Sequence, residues 1–205
     1  MNKPSRTLPV LLIGILFCRF AYAESETLKN LKTNITTVHQ VLVDGKLADP
    51  QHRDERRRAA LTLIQQIFDF QEMARRSLGA NARRYNDRLE EFTPLFISLL
   101  EHAYMGKLEE YADAKIDFVK EVADGGLMEV TTKTALKDGN EYSVIYKLKS
   151  GPADWRVYDV IIDGVSLVNN YRAQFDRFLS RKSFDELLQT LRDKKSGFDN
   201  TSVTR

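Results

Sequence analysis

The stretch WRVYDVIIDGVSLVNNYRAQF, residues 155–175, decides the fold more than any other part of the chain. It opens with β-branched and aromatic residues typical of a strand, turns at Asp163-Gly164, and then adopts the three-and-four spacing of a helix. Apolar residues stand on both faces of the predicted strand. Because an open antiparallel sheet usually has one wet face, either helices cover both faces or one face lines a cavity. Periodicity alone favours an ordinary core.

The segments before this stretch repeat the two-residue period of a strand. KIDFVKEV, LMEVTTKTAL and EYSVIYKLK are rich in β-branched and aromatic residues. The turn sequences DGG, KDGN and SGPAD separate them from one another and from WRVYDVIID. This arrangement predicts four antiparallel strands in a meander over residues 113–167.

Helical spacing predominates on both sides of the predicted sheet, over residues 24–112 and 168–195. Because helices and strands are segregated along the chain rather than alternating, the pattern favours an α+β fold over a parallel sheet. We therefore expect a single domain over residues 24–195, followed by a polar tail at 196–205.

Local signals mark where individual helices begin. Asp69 with Glu72, and Ser183 with Glu186, have the spacing of a capping box, which predicts that a helix starts at each pair. Pro94 lies inside the pattern of the longest predicted helix. Because proline lacks a backbone N–H, we expect a kink or a break there.

The first 23 residues have the composition of a secretory signal peptide. Basic residues in MNKPSR precede the apolar run LPVLLIGILF, and AYA supplies the small residues of a cleavage site, so we expect cleavage before Glu24. The apolar run of about ten residues is too short to span a bilayer, and no later segment resembles a membrane helix. We therefore expect a soluble protein exported to the periplasm.

Cysteine content and charge exclude several classes of function. Cys18, in the leader, is the only cysteine, so the mature chain has no thiol for catalysis, metal binding or a disulfide. The whole chain has 31 basic and 29 acidic residues, and the leader carries three of the basic residues and no acidic ones. The mature chain therefore has 28 basic and 29 acidic residues, which is a nearly balanced charge. This balance gives no indication of nucleic-acid binding.

Arginine is concentrated between Arg53 and Arg88. The commoner interpretation of such a run is a solvated helix surface. It also suits a docking face for anionic headgroups or an acidic partner, because guanidinium groups bind phosphates and carboxylates in a bidentate manner.

The residues that most often carry chemistry do not form a recognisable set. His39, His52 and His102 are far apart in sequence and lack the spacing of metal ligands. Asp159 and Asp163 are four residues apart, and we interpret them as a polar break and a turn acid rather than as an acid–base pair. The residues therefore predict no catalytic group, no metal and no cofactor.

Three blocks of the chain resemble successive blocks of the MlaC family, also called toluene-tolerance auxiliary proteins. They are IFDFQEMARRSLG (67–79), EFTPLFISLLEHAYMGKLEEY (91–111) and the opening stretch at 155–175. The last block is the most specific, with WRVYDV followed by GVSLV and YRAQF. The similarity extends over residues 28–191, with one departure, since family members often carry a tryptophan near Ala82.

The resemblance implies a periplasmic phospholipid carrier. In such a protein a twisted sheet, similar to a nuclear-transport-factor-like cone, and its surrounding helices enclose an apolar cavity that holds the acyl chains. The resemblance implies transfer between an outer-membrane lipoprotein complex and an inner-membrane ABC transporter with its substrate-binding subunit. It implies neither hydrolysis nor a cofactor, with the phospholipid as cargo.

The resemblance and the apolar pattern together give candidate lipid contacts. The helical wall is expected to consist of Phe70, Met73, Phe96, Leu99, Leu100 and Tyr104. The sheet wall is expected to consist of Val144, Tyr146, Val157, Val160, Ile162, Val165 and Leu167. Tyr171 and Phe175 are candidates for closing the mouth of the cavity, and Arg172 for meeting phosphate or a partner.

Strict alternation along residues 155–162 defines two faces of this strand. Trp155 and Val157 share one face, and the other face consists of Arg156, Tyr158, Val160 and Ile162. We expect the second face to meet the lipid through Val160 and Ile162. A register shift of one residue would invert this choice.

Three alternatives stay open at the level of sequence. A close relative of the family could carry a hopanoid or another lipid. A cone-fold enzyme would need a polar cluster inside the cavity, such as Asp159 with Tyr146 or Tyr158. A pure interaction module would combine a filled core with the arginine-rich docking face.

Overall fold

The computed structural model describes residues 25–43, 50–110, 114–151 and 154–203, so the leader and the expected cleavage site lie outside it. The helices in these ranges are α1 (Glu26–Val43), α2 (Arg53–Ile67), α3 (Phe70–Ser77), α4 (Asn81–Arg84), α5 (Leu89–Glu110), α6 (Leu167–Leu179) and α7 (Phe184–Val203). The strands are β1 (Lys115–Asp124), β2 (Leu127–Ala135), β3 (Glu141–Ser150), β4 (Trp155–Ile162) and β5 (Val165–Ser166). Short 3-10 helices at Pro50–His52 and Asn86–Arg88 precede α2 and α5.

The strands form one antiparallel meander in the order β1-β2-β3-β4-β5, with β1 and β5 at the edges. The predicted meander is confirmed, and β5 is an additional strand of 2 residues. It follows β4 through a turn in which Asp163 and Gly164 have φ of 47° and 82°. Positive φ at both positions is the geometry of a tight hairpin turn, which explains the Asp-Gly pair.

The helices contact the sheet in two places. α1 and α2 pack against one face in the sheet cluster, whereas α3 and α6 contact only the strand β4 and join α5 and α7 in the helical cluster. The buried members of the sheet cluster are Leu31, Val38, Leu42, Ala60, Ile67, Met128, Val130, Leu148, Val157 and Val160. Those of the helical cluster are Met73, Ala74, Leu78, Ala82, Leu89, Phe92, Leu95, Phe96, Leu100, Val168, Tyr171, Phe175, Phe184, Leu187, Leu188 and Leu191. The predicted α+β class is therefore confirmed, with a core in two parts.

The link between α2 and α3 is bonded to the sheet at Val157. Phe68, which packs against both clusters, forms a parallel bridge with Val157, and the Asp69 N–H donates to the Val157 carbonyl at 2.8 Å. The Asp69 carboxylate accepts from the Glu72 N–H at 2.9 Å, which confirms the predicted helix start. In a full capping box the Glu72 carboxylate would accept from the Asp69 N–H. Here that N–H donates to the Val157 carbonyl, and the Glu72 carboxylate accepts from Arg75 and Arg76 of α3.

Pro94 does not break the long helix, since α5 runs from Leu89 to Glu110 with the proline inside it. Pro94 lies in the second turn and removes the hydrogen bond that the Glu90 carbonyl would otherwise accept. Both residues are exposed, so water can satisfy that carbonyl and the ring lies in solvent. Of the two predicted outcomes the break is therefore wrong, and the kink stays a prediction.

The last helix begins as predicted and ends later. The Ser183 N–H donates to the Glu186 carboxylate at 2.8 Å, and the Glu186 N–H donates to the Ser183 hydroxyl at 3.2 Å, which is the expected capping box. The helix then continues to Val203, so the tail expected from residue 196 is helical up to that point. No proline interrupts this segment, and its Gly197 costs a helix only about 1 kcal/mol.

Candidate functional site

The predicted site residues fall into two groups on opposite sides of the sheet. Those in or against the helical cluster are Phe70, Met73, Phe96, Leu99, Leu100, Tyr104, Leu167, Tyr171 and Phe175. Those in or against the sheet cluster are Val144, Tyr146, Val157, Val160 and Ile162. Because the sheet itself lies between the groups, the structure does not bring the two predicted walls around one space.

The helical group is a packed aromatic core. Phe96 and Tyr171 meet edge to face with ring centroids 5.5 Å apart, and Phe92 meets Phe175 in the same way at 5.4 Å. Such contacts add to the stabilisation that burial alone provides. Tyr171 and Phe175 are only 7% and 5% exposed, so the structure places them in this core rather than at the mouth of a cavity.

Two residues of the predicted sheet wall lie elsewhere. Val165, in β5, is 62% exposed and belongs to neither cluster. Leu167 is the first residue of α6 and packs against the helical cluster. The turn at Asp163 and Gly164 ends β4 at Ile162, so the alternation of β4 does not continue through these positions.

A β-bulge in β4 determines which residues face the sheet cluster. Tyr146 pairs with Val160 and Leu148 pairs with Val157, so Tyr158 is an extra residue between two rungs of the ladder. In a regular strand Val157 and Val160 would point to opposite faces, whereas the bulge turns both toward the sheet cluster. The predicted division of faces is therefore wrong, because it assumed strict alternation.

One end of this sheet face is filled. Met128, Leu148 and Val157 lie side by side on β2, β3 and β4 and are at most 4% exposed. Between α1 and the strands at this end, beside Leu148 and Trp155, a pocket of about 10 Å3 remains. That volume has room for about one water molecule and none for a larger ligand.

Toward its other end the same sheet face is only partly covered. We call this part the half-open face, and it consists of Phe118, Val144, Tyr146 and Ile162. These side chains pack against the sheet cluster and still keep intermediate exposure. The partly exposed apolar side chains that α1 and α2 contribute to the same cluster are Leu28, Ile35, Val41, Leu63 and Ile64. Accessible apolar surface is thus concentrated between these two helices and the sheet.

Tyr146 has the most informative position on the half-open face. It lies on the central strand between Val130 and Val160, which are both buried. Burial raises the pKa of its phenol to about 12, with the Thr132 hydroxyl acting in the opposite direction. The side chain nevertheless keeps intermediate exposure. Tyr146 is therefore surrounded by protein on most sides, while part of its surface stays accessible to solvent.

Asp159 has a structural role that the sequence pattern did not reveal. Its buried carboxylate accepts hydrogen bonds from the Ser166 hydroxyl at 2.6 Å and from the Val168 N–H at 3.0 Å. Both donors lie at the start of α6, where a carboxylate is favourable to the helix dipole. Asp159 therefore braces α6 against β4, on the sheet face opposite Tyr146.

Arg172 packs against the end of α3. Its Nε donates to the Arg76 carbonyl at 3.0 Å, and the same carbonyl also accepts from the Gly79 N–H at 3.1 Å. Gly79 follows with φ of 56°, and a Cβ at this position would lie 3.0 Å from the Arg172 Cδ. The contact observed for Arg172 is therefore with the helix, and its meeting with phosphate or a partner stays a prediction.

Glu72 organises the charges next to this helix end. Its side chain is 9% exposed, and the carboxylate accepts from Arg75 at 2.8 Å and from Arg76 at 2.7 Å. The Lys149 Nζ, on β3, lies 3.7 Å from the Glu72 Oε1. The hydrogen bond from Arg75 is the largest influence, followed in the opposite direction by burial, and the pKa of Glu72 falls to about 2.

One further arginine of the predicted docking face, Arg88, is also ion-paired. Arg88 contacts Glu91 at 2.9 Å and Asp185 at 2.6 Å. Together with the pairing of Arg75 and Arg76, these contacts favour the interpretation as a solvated, ion-paired helix surface.

Within the described ranges, no group of three or more His, Cys, Asp or Glu side chains is arranged to hold a metal ion. None of the helices in those ranges has the length and apolar character required to cross a bilayer. His52 contacts Glu55 at 3.2 Å, near the start of α2.

Comparison with known proteins identifies relatives of this fold. The sequence model of a family described as MlaC protein matches residues 32–193. Among solved structures, a phospholipid-binding protein from Ralstonia solanacearum, determined in complex with a phospholipid, is similar with a TM-score of 0.71 and 22% identity. The match covers 84% of this chain and 98% of that one. Comparison with curated proteins gives no significant match.

Proposed function

The chain belongs to the MlaC family, and on that premise we propose that it is a phospholipid carrier that shelters the acyl chains of its cargo in an apolar space. Its role is to bind and move lipid rather than to catalyse a reaction. The similar protein from R. solanacearum binds a phospholipid, which supports phospholipid as the class of cargo.

The half-open face carries this proposal. Apolar side chains of the sheet and of α1 and α2 pack against one cluster and still keep accessible surface. Tyr146 is deep enough for burial to raise the pKa of its phenol to about 12 and is nevertheless accessible. Apolar surface of this kind costs free energy in water, and acyl chains would cover it. The proposed binding space therefore lies between the sheet and these two helices, and not between the sheet and α5.

The energetics of the cargo explain why apolar walls are needed. Each methylene removed from water contributes about 0.8 kcal/mol, so a lipid with two acyl chains scarcely leaves a membrane unaided. A carrier must offer the chains an environment that resembles the bilayer interior. Unpaired polar groups within that environment would weaken binding, because they lose their hydration without gaining a partner.

The site of action and the partners follow from the family rather than from the coordinates. We propose that the signal peptide directs the chain to the periplasm and is cleaved before Glu24. There the carrier would exchange phospholipid with an outer-membrane lipoprotein complex and with an inner-membrane ABC transporter through its substrate-binding subunit. Family membership supports this assignment.

The arrangement of polar groups gives little support to a cone-fold enzyme. Asp159 is engaged with Ser166 and the start of α6, whereas Tyr146 faces the sheet cluster on the other side of the sheet. The Arg76 guanidinium lies over the Tyr158 ring, with the Arg76 Cζ atom 4.1 Å from the ring centroid. The acid and the two phenols therefore do not converge in one site.

Uptake of lipid by delipidated protein tests the proposal. The mature chain, stripped of lipid in denaturant and refolded, is incubated with vesicles of phosphatidylethanolamine and phosphatidylglycerol, and then separated from them by gel filtration. The carrier function predicts one phospholipid per chain in the protein fraction. Folded protein that emerges without lipid would overturn it. Repeating the uptake with a hopanoid distinguishes the class of cargo.

A further inference from the structure

The hydroxyl of Tyr146 has one polar side-chain neighbour, the Thr132 hydroxyl, in surroundings that are otherwise apolar. Its neighbours on the adjacent strands are Val130 and Val160, and Val144 precedes it on the same sheet face. A phenylalanine would provide the same ring for an acyl chain to contact. The hydroxyl therefore adds something that apolar packing does not require.

The surroundings keep this hydroxyl protonated. Burial raises the pKa of Tyr146 to about 12, so at neutral pH the phenol is a neutral hydrogen-bond donor. The Thr132 hydroxyl stands beside it and donates to the Val144 carbonyl at 3.3 Å. Thr132 is fully buried, whereas the Tyr146 side chain keeps part of its surface accessible. Of the two hydroxyls, the one on Tyr146 belongs to the residue that keeps accessible surface.

We propose that the Tyr146 hydroxyl donates a hydrogen bond to an ester carbonyl of the bound phospholipid and so fixes how deeply the lipid enters. This inference rests on the proposed carrier function. It makes Tyr146 a specificity-determining residue, which selects lipids whose chains are joined by esters over lipids of the same shape without carbonyl groups.

The chemistry of the cargo singles out the ester group. A phospholipid with saturated or unsaturated hydrocarbon chains carries its phosphate and headgroup at the polar end, which is most stable in water. Below that end, the two ester groups are the only oxygen atoms before the hydrocarbon begins. A donor on an apolar wall has no other group of the lipid to bind, and a donor left unpaired there would weaken binding.

A pair of lipids that differ only in this group tests the inference. Delipidated protein is offered a diacyl phosphatidylcholine and its dialkyl ether analogue, with the same chains and headgroup, and the bound ratio is measured by mass spectrometry. A single neutral hydrogen bond predicts that wild type prefers the ester lipid by about fivefold. Tyr146→Phe removes only the hydroxyl, and its preference should fall to about one through loss of ester-lipid affinity.

A matched variant separates this role from a general effect of losing a phenol. Tyr158→Phe makes the same change on the neighbouring strand, beneath Arg76, and should keep the preference of wild type. Equal binding of the two lipids by wild type would overturn the inference, whether or not the Tyr146 variant folds. An unchanged preference in folded Tyr146→Phe would also overturn it. If wild type binds neither lipid, the carrier function itself fails.

Discussion

Val157 and Val160 face the same side of the sheet although they are three positions apart in β4, a spacing that places residues of a regular strand on opposite faces. The bulge at Tyr158 produces this arrangement, because Leu148 pairs with Val157 while Tyr146 pairs with Val160. The result is a continuous apolar face on β3 and β4, filled at Val157 and open near Tyr146. The following predictions test what this face and the contacts around it do.

Filling the half-open face should block lipid uptake with little effect on folding. Val144→Trp adds a large side chain where the residue keeps intermediate exposure, directly opposite Ile162. We expect uptake to fall at least about tenfold and the free energy of unfolding to change by less than about 2 kcal/mol. Lipid uptake after delipidation and urea denaturation measure the two effects.

A control for this substitution lies at the hairpin after β4. Val165→Trp makes the same change at a residue that is 62% exposed, and it should leave uptake unaltered. If Val144→Trp folded and took up lipid as well as wild type does, the acyl chains would lie somewhere other than the half-open face.

Glu72 should contribute stability that depends on pH. Its folded-state pKa of about 2 lies below the ordinary value of 4.5, so its contribution is complete above pH 4.5 and is lost as the pH falls toward 2. Glu72→Gln should lower the free energy of unfolding by about 2 kcal/mol at pH 7 and by much less near pH 2. Urea denaturation at several pH values measures this, with Glu141→Gln, at an exposed position, as control. A deficit independent of pH would contradict the ion-pair interpretation.

Gly79 should tolerate alanine less well than another glycine of positive φ. Gly79→Ala forces alanine to φ of 56° and brings its Cβ to 3.0 Å from the Arg172 Cδ, which predicts a cost of about 2 kcal/mol. Gly139 has φ of 88° and open space around it, so Gly139→Ala should cost only about 1 kcal/mol. Thermal or urea unfolding measures both. In an Arg172→Ala background, Gly79→Ala should cost no more free energy of unfolding than Gly139→Ala does. If Gly79→Ala remained the more costly substitution there, the contact with Arg172 would not be the cause of the difference.

Asp159 should matter for stability and not for lipid binding. Asp159→Ala removes the acceptor for the Ser166 hydroxyl and the Val168 N–H, and we expect a loss of about 3 kcal/mol in the free energy of unfolding. Asp159→Asn can still accept from Val168 and should lose less. Both variants, where folded, should take up lipid like wild type. Loss of uptake by a folded Asp159→Asn protein would point to a role in the site.

Features encoded within a few residues were predictable from the sequence. Asp69 caps α3, and Ser183 with Glu186 starts α7, because each cap involves groups only three positions apart. The four long strands and the α+β class follow equally from local periodicity and turn residues. Tyr171 and Phe175 were expected at the mouth of the cavity and lie in the helical cluster instead, because helical spacing does not reveal which layer a helix packs against.

Features that depend on partners distant in sequence were missed. The bulge at Tyr158 is a property of how β4 pairs with β3, and alternation within β4 alone gives the wrong face for Val157. The sequence pattern indicates only a polar break at Asp159, since the partners of its carboxylate belong to the start of the next helix. Arg172 likewise binds the Arg76 carbonyl, 96 positions away.

The central claim is that the chain carries a phospholipid between α1, α2 and the sheet, and native mass spectrometry of protein purified from the periplasm tests it most directly. Carrier function predicts a mature chain beginning at Glu24 with a mass increment of one phospholipid, and a Val144→Trp protein largely without it. A folded wild-type protein found only at the mass of the bare chain, and still without lipid after incubation with vesicles, would contradict the claim.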